Sequence, residues 1–353
     1  MAIYGGMNQA PIQLLPEHLK LVGEIDEFKG RWNAVASLAP EQLAELRTAT
    51  IIESVGSSTR IEGSRLTNLE VRALLSGLKL GKLKTRDQQE VAGYADAANR
   101  VYEQWTSIDV SESTIRELHR QLLKFSRKDL QHAGAYKSAP NHIEAFDSEG
   151  KSLGVVLETV PPADTPGAMA DLVAQYHTHI ISDTHHPLLV VALFTLQFLA
   201  IHPFADGNGR LSRILTNLLL LKAGYAYVPY CSLEKIIEDN KDRYYLALRQ
   251  AQETLNTDNG QLHLWLSFFL SALKQQVDVL KGRIAADHLL QGLPPLSRDV
   301  LLLARTRKRI TVREAVQATA ANRNTVKVHL QDLQRRGLLT QHGVRKGTWY
   351  EPA

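Results

Sequence analysis

Twelve residues in the second half of the chain, His202-Pro-Phe-Ala-Asp-Gly-Asn-Gly-Arg-Leu-Ser-Arg213, bring together groups able to bind and activate a phosphate ester. His202, of a type that titrates near neutrality, suits a general base. Asp206 offers one hard oxygen ligand, which serves Mg²⁺ when nucleotide phosphates and water complete the shell. Gly207 and Gly209 free the backbone for positive φ and for close approach to a ligand. Asn208 and Gly209 lead into a helix, where unpaired N–H groups and the dipole favour an anion. Arg210 and Arg213 are three apart, near one face of that helix, and both present planar forks to phosphate. Each feature alone is common in proteins without such a role. Their coincidence within 12 residues reads as a phosphate- or nucleotide-binding loop.

The flanks of this loop are the two most apolar stretches of the chain. Leu188–Ile201 holds 14 residues, interrupted only by Thr195 and Gln197. That is short of the roughly 20 needed to span a membrane, so it reads as a buried core helix. A second apolar helix starts near Gly207 and stops at Gly224, a natural C-terminal cap. Held between two such helices, the loop would be rigid, as a catalytic loop must be. Upstream, residues 17–110 read as helices, with apolar spacing over Glu41–Ile52 and again over Asn68–Leu80 and Gln88–Trp105. Ser111 or Ser113 would cap the next helix, whose face carries Ile115, Leu118 and Leu122. Asn141–Glu158 reads as a β-hairpin with Asp147-Ser-Glu-Gly150 at its turn. Helices return at Pro166–Ser182, Leu233–Leu255 and Gln261–Lys281. Gly292-Leu-Pro-Pro295 marks a domain boundary.

Composition is that of an ordinary globular chain, 44% apolar and 22% charged over 353 residues. The first residues lack a basic patch followed by an apolar run, and the expectation is no secretion signal and no membrane span. One cysteine, Cys231, excludes an internal disulfide framework and a cysteine metal cluster, and favours a cytoplasmic setting. The net charge of +4 is unevenly spread. Residues 296–353 carry 12 Lys and Arg against 4 Asp and Glu, leaving 29 basic and 33 acidic groups elsewhere. A basic module is attached to a mildly acidic body.

The loop resembles the signature of Fic enzymes, His-Pro-Phe-x-(Asp/Glu)-Gly-Asn-Gly-Arg-x-x-Arg, at every specified position. The resemblance implies a mainly α fold, a helical core with a β-hairpin flap. It implies transfer of AMP from ATP to a Ser, Thr or Tyr hydroxyl of a protein target. His202 would take the hydroxyl proton, and Asp206 would hold Mg²⁺ between the α- and β-phosphates. Gly207, Asn208 and Gly209 would form the anion hole, with Arg210 and Arg213 on the outer phosphates. Doc-type relatives, which are kinases, have lysine where this chain has Gly209, so glycine favours AMP transfer. Gly134–Ile143 and the hairpin resemble the family's flap, with Ile143 at an apolar clamp position and the target segment added as a strand. Lys137 replaces a common arginine, and Thr195 a common histidine. Asn240–Tyr245 resembles the border of the adenine pocket, making Tyr245 and, two turns later, Gln252 candidates for contact with the base.

Ser58-Thr-Arg-Ile-Glu62-Gly63 resembles the family's inhibitory motif, (Ser/Thr)-x-x-x-Glu-(Gly/Asn). The implied physics is competition: Glu62 pairs with Arg213 and occupies the cation meant for the γ-phosphate. The tail reads as helices at Arg298–Arg305 and Val312–Ala318 and a third capped by Asn322 or Asn324, followed by a turn with Arg345 and Lys346. This resembles a winged helix-turn-helix, with Arg323, Asn324, Thr325 and Lys327 opening the recognition helix. Such a module binds DNA or docks protein. Three domains are expected: residues 1–112 with the inhibitory helix, 113–284 as the catalytic core, and 285–353 as the winged helix. Transfer of another nucleotide, removal of AMP by the same site, and a DNA-binding regulator that modifies itself are alternative functions. Self-association is common among relatives, so a homodimer is compatible with the resemblance.

Overall fold

The computed structural model describes residues 13–35, 40–77, 83–146, 152–183, 185–255 and 261–353. The chain divides into two compact units, Met1–Val279 and Leu280–Ala353. In the first, α1 (Pro16–Val35), α2 (Pro40–Ile61), α3 (Asn68–Ser76), α4 (Arg86–Gln104) and α5 (Glu112–Leu123) precede an antiparallel hairpin, β1 (Ile143–Phe146) with β2 (Ser152–Leu157). There follow α6 (Thr165–Ser182), α7 (Pro187–Ile201), α8 (Asn208–Lys222), α9 (Leu233–Asp239), α10 (Lys241–Glu253) and α11 (Leu262–Gln291), the last of which continues past Val279 into the second unit. The hairpin turn expected at Asp147–Gly150 lies outside the described residues.

The core of this unit is α7, apolar all round because it is covered all round. Every residue from Leu188 to Ile201 except Gln197 is buried. The Trp265 indole N–H donates to the Ala192 carbonyl at 2.7 Å, tying α11 to it. α8 is buried continuously from Arg210 to Leu221. α4 and α5 meet where Gly93 has no side chain, since a Cβ there would collide with the Leu122 carbonyl. Their starts are set by local chemistry. Thr85 and Gln88 form a capping box at α4, and the Ser111 hydroxyl accepts the Thr114 N–H at 3.2 Å at α5. The stretch Leu233–Leu255, which reads as one helix in sequence, is two. Asn240 has φ −121°, and its side-chain amide and backbone N–H close α9 onto the Ile236 and Ile237 carbonyls. A side chain that bonds its own backbone in this way competes with helix continuation. Helix also persists to Gln291, so the boundary expected at residue 285 falls within α11.

The second unit contains α12 (Pro295–Arg307), β3 (Ile310–Thr311), α13 (Val312–Thr319), α14 (Arg323–Arg335), β4 (Leu339–His342) and β5 (Trp349–Pro352). Its strands form an antiparallel sheet in the order β3-β5-β4. Val300, Ile310, Val326, Leu330 and Leu333 are fully buried in its own small core. Asn322 is the cap of α14, its side-chain oxygen accepting the Asn324 N–H at 2.8 Å. Among the described residues no helix is long and apolar enough to cross a membrane.

Candidate active site

The loop between α7 and α8 is built around His202. This residue ends α7 in the left-handed region, φ 51°, with its N–H still bonded to Phe198 O at 3.0 Å. Such a conformation is uncommon for a residue with a Cβ and turns the side chain out of the helix. Nδ1 lies 3.3 Å from the Leu199 carbonyl. A proton on Nδ1 satisfies that carbonyl and leaves Nε2 as the basic nitrogen. Burial pulls the imidazole down to about 4, the Leu199 carbonyl opposing and the Lys137 charge adding to it. His202 is therefore neutral at pH 7, the protonation state of a base.

Side chains from distant segments hold the loop. The Asn141 amide donates to His202 O at 3.1 Å and Phe204 O at 2.7 Å. Asn208 bonds Phe204 at both its N–H (3.0 Å) and its carbonyl (2.7 Å). Lys137 is almost wholly buried, its ammonium donating to Asn141 Oδ1, Thr159 Oγ1 and Ile201 O at 2.8, 2.8 and 3.0 Å. Burial lowers its pKa to about 8. His119 on α5 accepts the Gly134 N–H at Nδ1 (2.8 Å), which leaves the proton on Nε2, 2.9 Å from Asp206 O. Its ring stacks on Phe204 at 3.8 Å between centroids, and burial brings its pKa down to about 4.

Gly207 has φ 84° and begins α8 with no side-chain cap. The first-turn N–H groups of α8 therefore have no intrahelical acceptor and face whatever anion enters. Asp206 Oδ1 accepts the Gly207 N–H at 2.7 Å. Its Oδ2 accepts Arg86 at 3.0 Å and Arg210 at 3.1 Å. Burial alone would raise this carboxyl, but Arg210, the Gly207 N–H and Arg86 bring it below its usual range. Arg210 is 2% exposed, and its Nε finds no hydrogen-bond partner. An orphaned buried guanidinium donor beside uncapped helix amides fits a phosphate. The described residues hold no cluster of three or more His, Cys, Asp and Glu able to bind a metal. One carboxylate, about a third exposed, fits Mg²⁺ only as a shared ligand, with phosphate oxygens and water completing the shell.

Arg213, one turn further, is 4% exposed and fully engaged with the end of α2. Its Nε donates to Ser58 Oγ at 2.8 Å, and one terminal nitrogen donates to Ser58 O at 3.0 Å and Glu62 Oε1 at 2.7 Å. Burial disfavours its charge, but Glu62 more than restores it and the pKa is raised. Gly63, φ 102°, reverses the chain after Glu62. A Cβ on Gly209 would strike the Glu62 carboxylate, so glycine here is what lets that carboxylate lie against the first turn of α8. Arg60 locks the same end of α2 to α9 through Glu238, at 2.5 and 3.0 Å.

Tyr245 on α10 is 43% exposed, with Lys241 over its ring at 5.8 Å, and Lys241 also donates to Ile61 O at 2.7 Å. Tyr245 thus stands beside the same end of α2. Gln252, two turns on, is half-buried, and its Nε2 has no partner. Ile143 opens β1, paired with Leu157, and its side chain is outside the described residues.

Residues 109–220, which span α5 to α8 and the whole loop, match the model of the Fic/DOC family. A Fic family protein from Desulfovibrio desulfuricans G20 superposes over 98% of both chains, with a TM-score of 0.61 and 25% identity. Residues 109–220 of this chain thus form a Fic/DOC-type domain. A Fic domain containing signalling protein from Bacteroides thetaiotaomicron shares the fold at TM-score 0.60 and 24% identity, over 74% of this chain and 97% of that one. Among curated proteins, protein adenylyltransferase Fic of Drosophila virilis is 26% identical over 297 residues, 77% of this chain and 56% of that protein. That of Drosophila yakuba is 27% identical over 72% of this chain and 46% of its own length. The chain spans about half the length of the curated relatives it matches.

Within this Fic site, four residues escaped the sequence reading: His119, Asn141, Arg86 and Glu90. His119 carried a signal, since it lies on the apolar stripe of α5 with Ile115, Leu118 and Leu122, where a polar ring needs partners. The other three sit on elements whose approach to the loop no local pattern announces.

Proposed function

We propose that this protein transfers AMP from ATP to a side-chain hydroxyl of a protein, and that α2 restrains the reaction. The observation that carries the reading is the pairing of a neutral histidine, His202, with the uncapped start of α8 a few residues on. The hydroxyl proton passes to His202 as the hydroxyl oxygen attacks the α-phosphorus. A new P–O bond forms, the bond between the α-phosphorus and the bridging oxygen breaks, and pyrophosphate leaves. The amides of Asn208 and Gly209, with that of Gly207 once it leaves Asp206 Oδ1, receive the phosphates, and Arg210, then Arg213 once released from Glu62, bind their outer oxygens. Mg²⁺ held by Asp206 would offset charge on the α- and β-phosphates. Tyr245 and Gln252, whose Nε2 lacks a partner, would border the base. The hairpin β1–β2, with Ile143, would take the target segment as an added strand.

Glu62 on Arg213 acts as the brake, because the guanidinium cannot serve the carboxylate and a γ-phosphate at once. Incubating the full chain with ATP labelled at either the α- or the γ-phosphate, and with α-labelled UTP, tests the reaction. Protein-bound label from α-labelled ATP alone is expected. Transfer of the γ-label would make it a kinase, and preference for UTP would change the nucleotide.

A second reading concerns the tail. The sheet order β3-β5-β4 beside α12, α13 and α14, with exposed Arg323, Asn324, Thr325 and Lys327 opening α14, supports a winged helix that binds duplex DNA through its surplus of positive charge. Affinity falling steeply with salt in a shift assay is the expected result, and no binding at low salt would favour protein docking.

A further inference from the structure

Arg86, the first residue of α4, is outside the Fic signature yet reaches into the loop. A capping box fixes its backbone. Its Nε donates to Glu90 Oε1 at 2.7 Å, and a terminal nitrogen donates to Asp206 Oδ2 at 3.0 Å. Glu90, 8% exposed, in turn lies 3.4 Å from Arg210, which is 3.1 Å from the same Asp206 oxygen. The four groups close a ring of alternating charge, two guanidiniums and two carboxylates. Both Asp206 oxygens are taken, one by the Gly207 N–H and the other by two arginines.

A divalent cation entering at Asp206 must displace one arginine from Oδ2 and meets repulsion from both. Arg210 cannot withdraw, being buried and wedged against Glu90. Arg86 can, because more than half of its side chain is exposed. We infer that Arg86 is a positioning residue that closes Asp206 to a bare cation and opens it when a nucleotide arrives. The phosphates bring compensating negative charge, and the displaced guanidinium, still anchored at Glu90, stays within the same electrostatic field. Metal and nucleotide then bind as a pair, each favouring the other, and by linkage the coupling is reciprocal.

This inference rests on the assignment of Asp206 as magnesium ligand, and its test separates the two. Manganese binding to the full chain is followed by electron paramagnetic resonance, with and without a non-hydrolysable ATP analogue, in wild type, Arg86→Gln, Arg86→Lys and Asp206→Ala. Wild type should bind manganese weakly alone and much more tightly with the analogue. Arg86→Gln should tighten binding of manganese alone by roughly twofold to fivefold, the worth of a part-exposed ion pair, and shrink the nucleotide coupling. Arg86→Lys keeps the charge but cannot fork between Glu90 and Asp206, and should fall between the two. Equal manganese affinity in wild type and Arg86→Gln, with binding lost in Asp206→Ala, would overturn the lock alone. Undiminished binding in Asp206→Ala would overturn the metal assignment and the lock together. Thermal melts identify any variant that has lost its fold, and Arg86→Lys, which preserves the Glu90 contact, carries the test if Arg86→Gln has.

Discussion

Arg210 and Arg213 sit one turn apart on the same helix and are buried to the same degree, yet their surroundings differ in kind. The partners of Arg210, Asp206 and Glu90, belong to the loop and its wall, and its Nε is left without an acceptor. Arg213 is held by Ser58 of α2 and by Glu62 just beyond its end, two of its nitrogens making three hydrogen bonds. One arginine is built into the site with spare capacity. The other is occupied by a segment from elsewhere in the chain, through a carboxylate that is about a third exposed. A permanent ligand and a releasable one differ less in the cation than in how readily its partner can return to water.

The largest effect expected bears on what both arginines serve. His202→Ala should lower AMP transfer by about 10²–10⁴-fold while ATP binding, measured by calorimetry, is nearly unchanged, since a base acts on the incoming hydroxyl. Loss of nucleotide binding in a folded variant would remove His202 from the role of base.

Stability then separates the two arginines. Arg210→Ala leaves Glu90 buried with only Arg86 for company and should cost roughly 3 kcal/mol in urea unfolding. Arg213→Ala frees Glu62 to rehydrate and should cost visibly less. Equal losses would mean that the two pairs are held alike.

A smaller effect comes from the histidines behind the loop. His119 is fully buried, with its pKa brought from 6.5 to about 4. The unfolded chain therefore takes up this proton first as pH falls through 6.5, and the folded chain only near 4. The stability His119 contributes is full above that window and declines within it, by roughly 2 kcal/mol between about pH 7.5 and about pH 5, and His202, lowered alike, adds a loss of the same sign. A flat urea midpoint over this range would contradict the buried, neutral assignment.

The part of the site legible in sequence is the part that is contiguous. The run from His202 to Arg213 announces itself because base, carboxylate, glycines and arginines fall within one loop. The apolar flanks announce the two helices that grip it, and Ser58 to Gly63 is readable as a short motif. What stayed hidden is what the tertiary fold brings in. Asn141 buttresses the loop from the far side of the flap, and Arg86 and Glu90 reach it from α4. Charged residues at the start of a helix read as solvated until a partner 120 residues away is known. The break at Asn240 was hidden for a different reason. Apolar spacing continues through it, and only the side chain's bond to Ile236 O marks the stop.

The proposed brake is tested most directly by Glu62→Gly, with label transfer from α-labelled ATP as the readout. Removing the carboxylate frees Arg213 for the γ-phosphate, and a charge-assisted pair of this kind is worth roughly 1.5–3 kcal/mol, or tenfold and more in rate. Transfer, including self-modification, should rise by about an order of magnitude or more. Arg213→Ala should not rise, because it loses the phosphate ligand along with the brake's partner, and the double variant should behave as Arg213→Ala does. Unchanged transfer in Glu62→Gly, with Arg213 and the fold intact, would contradict the account and return Ser58–Gly63 to an ordinary helix end.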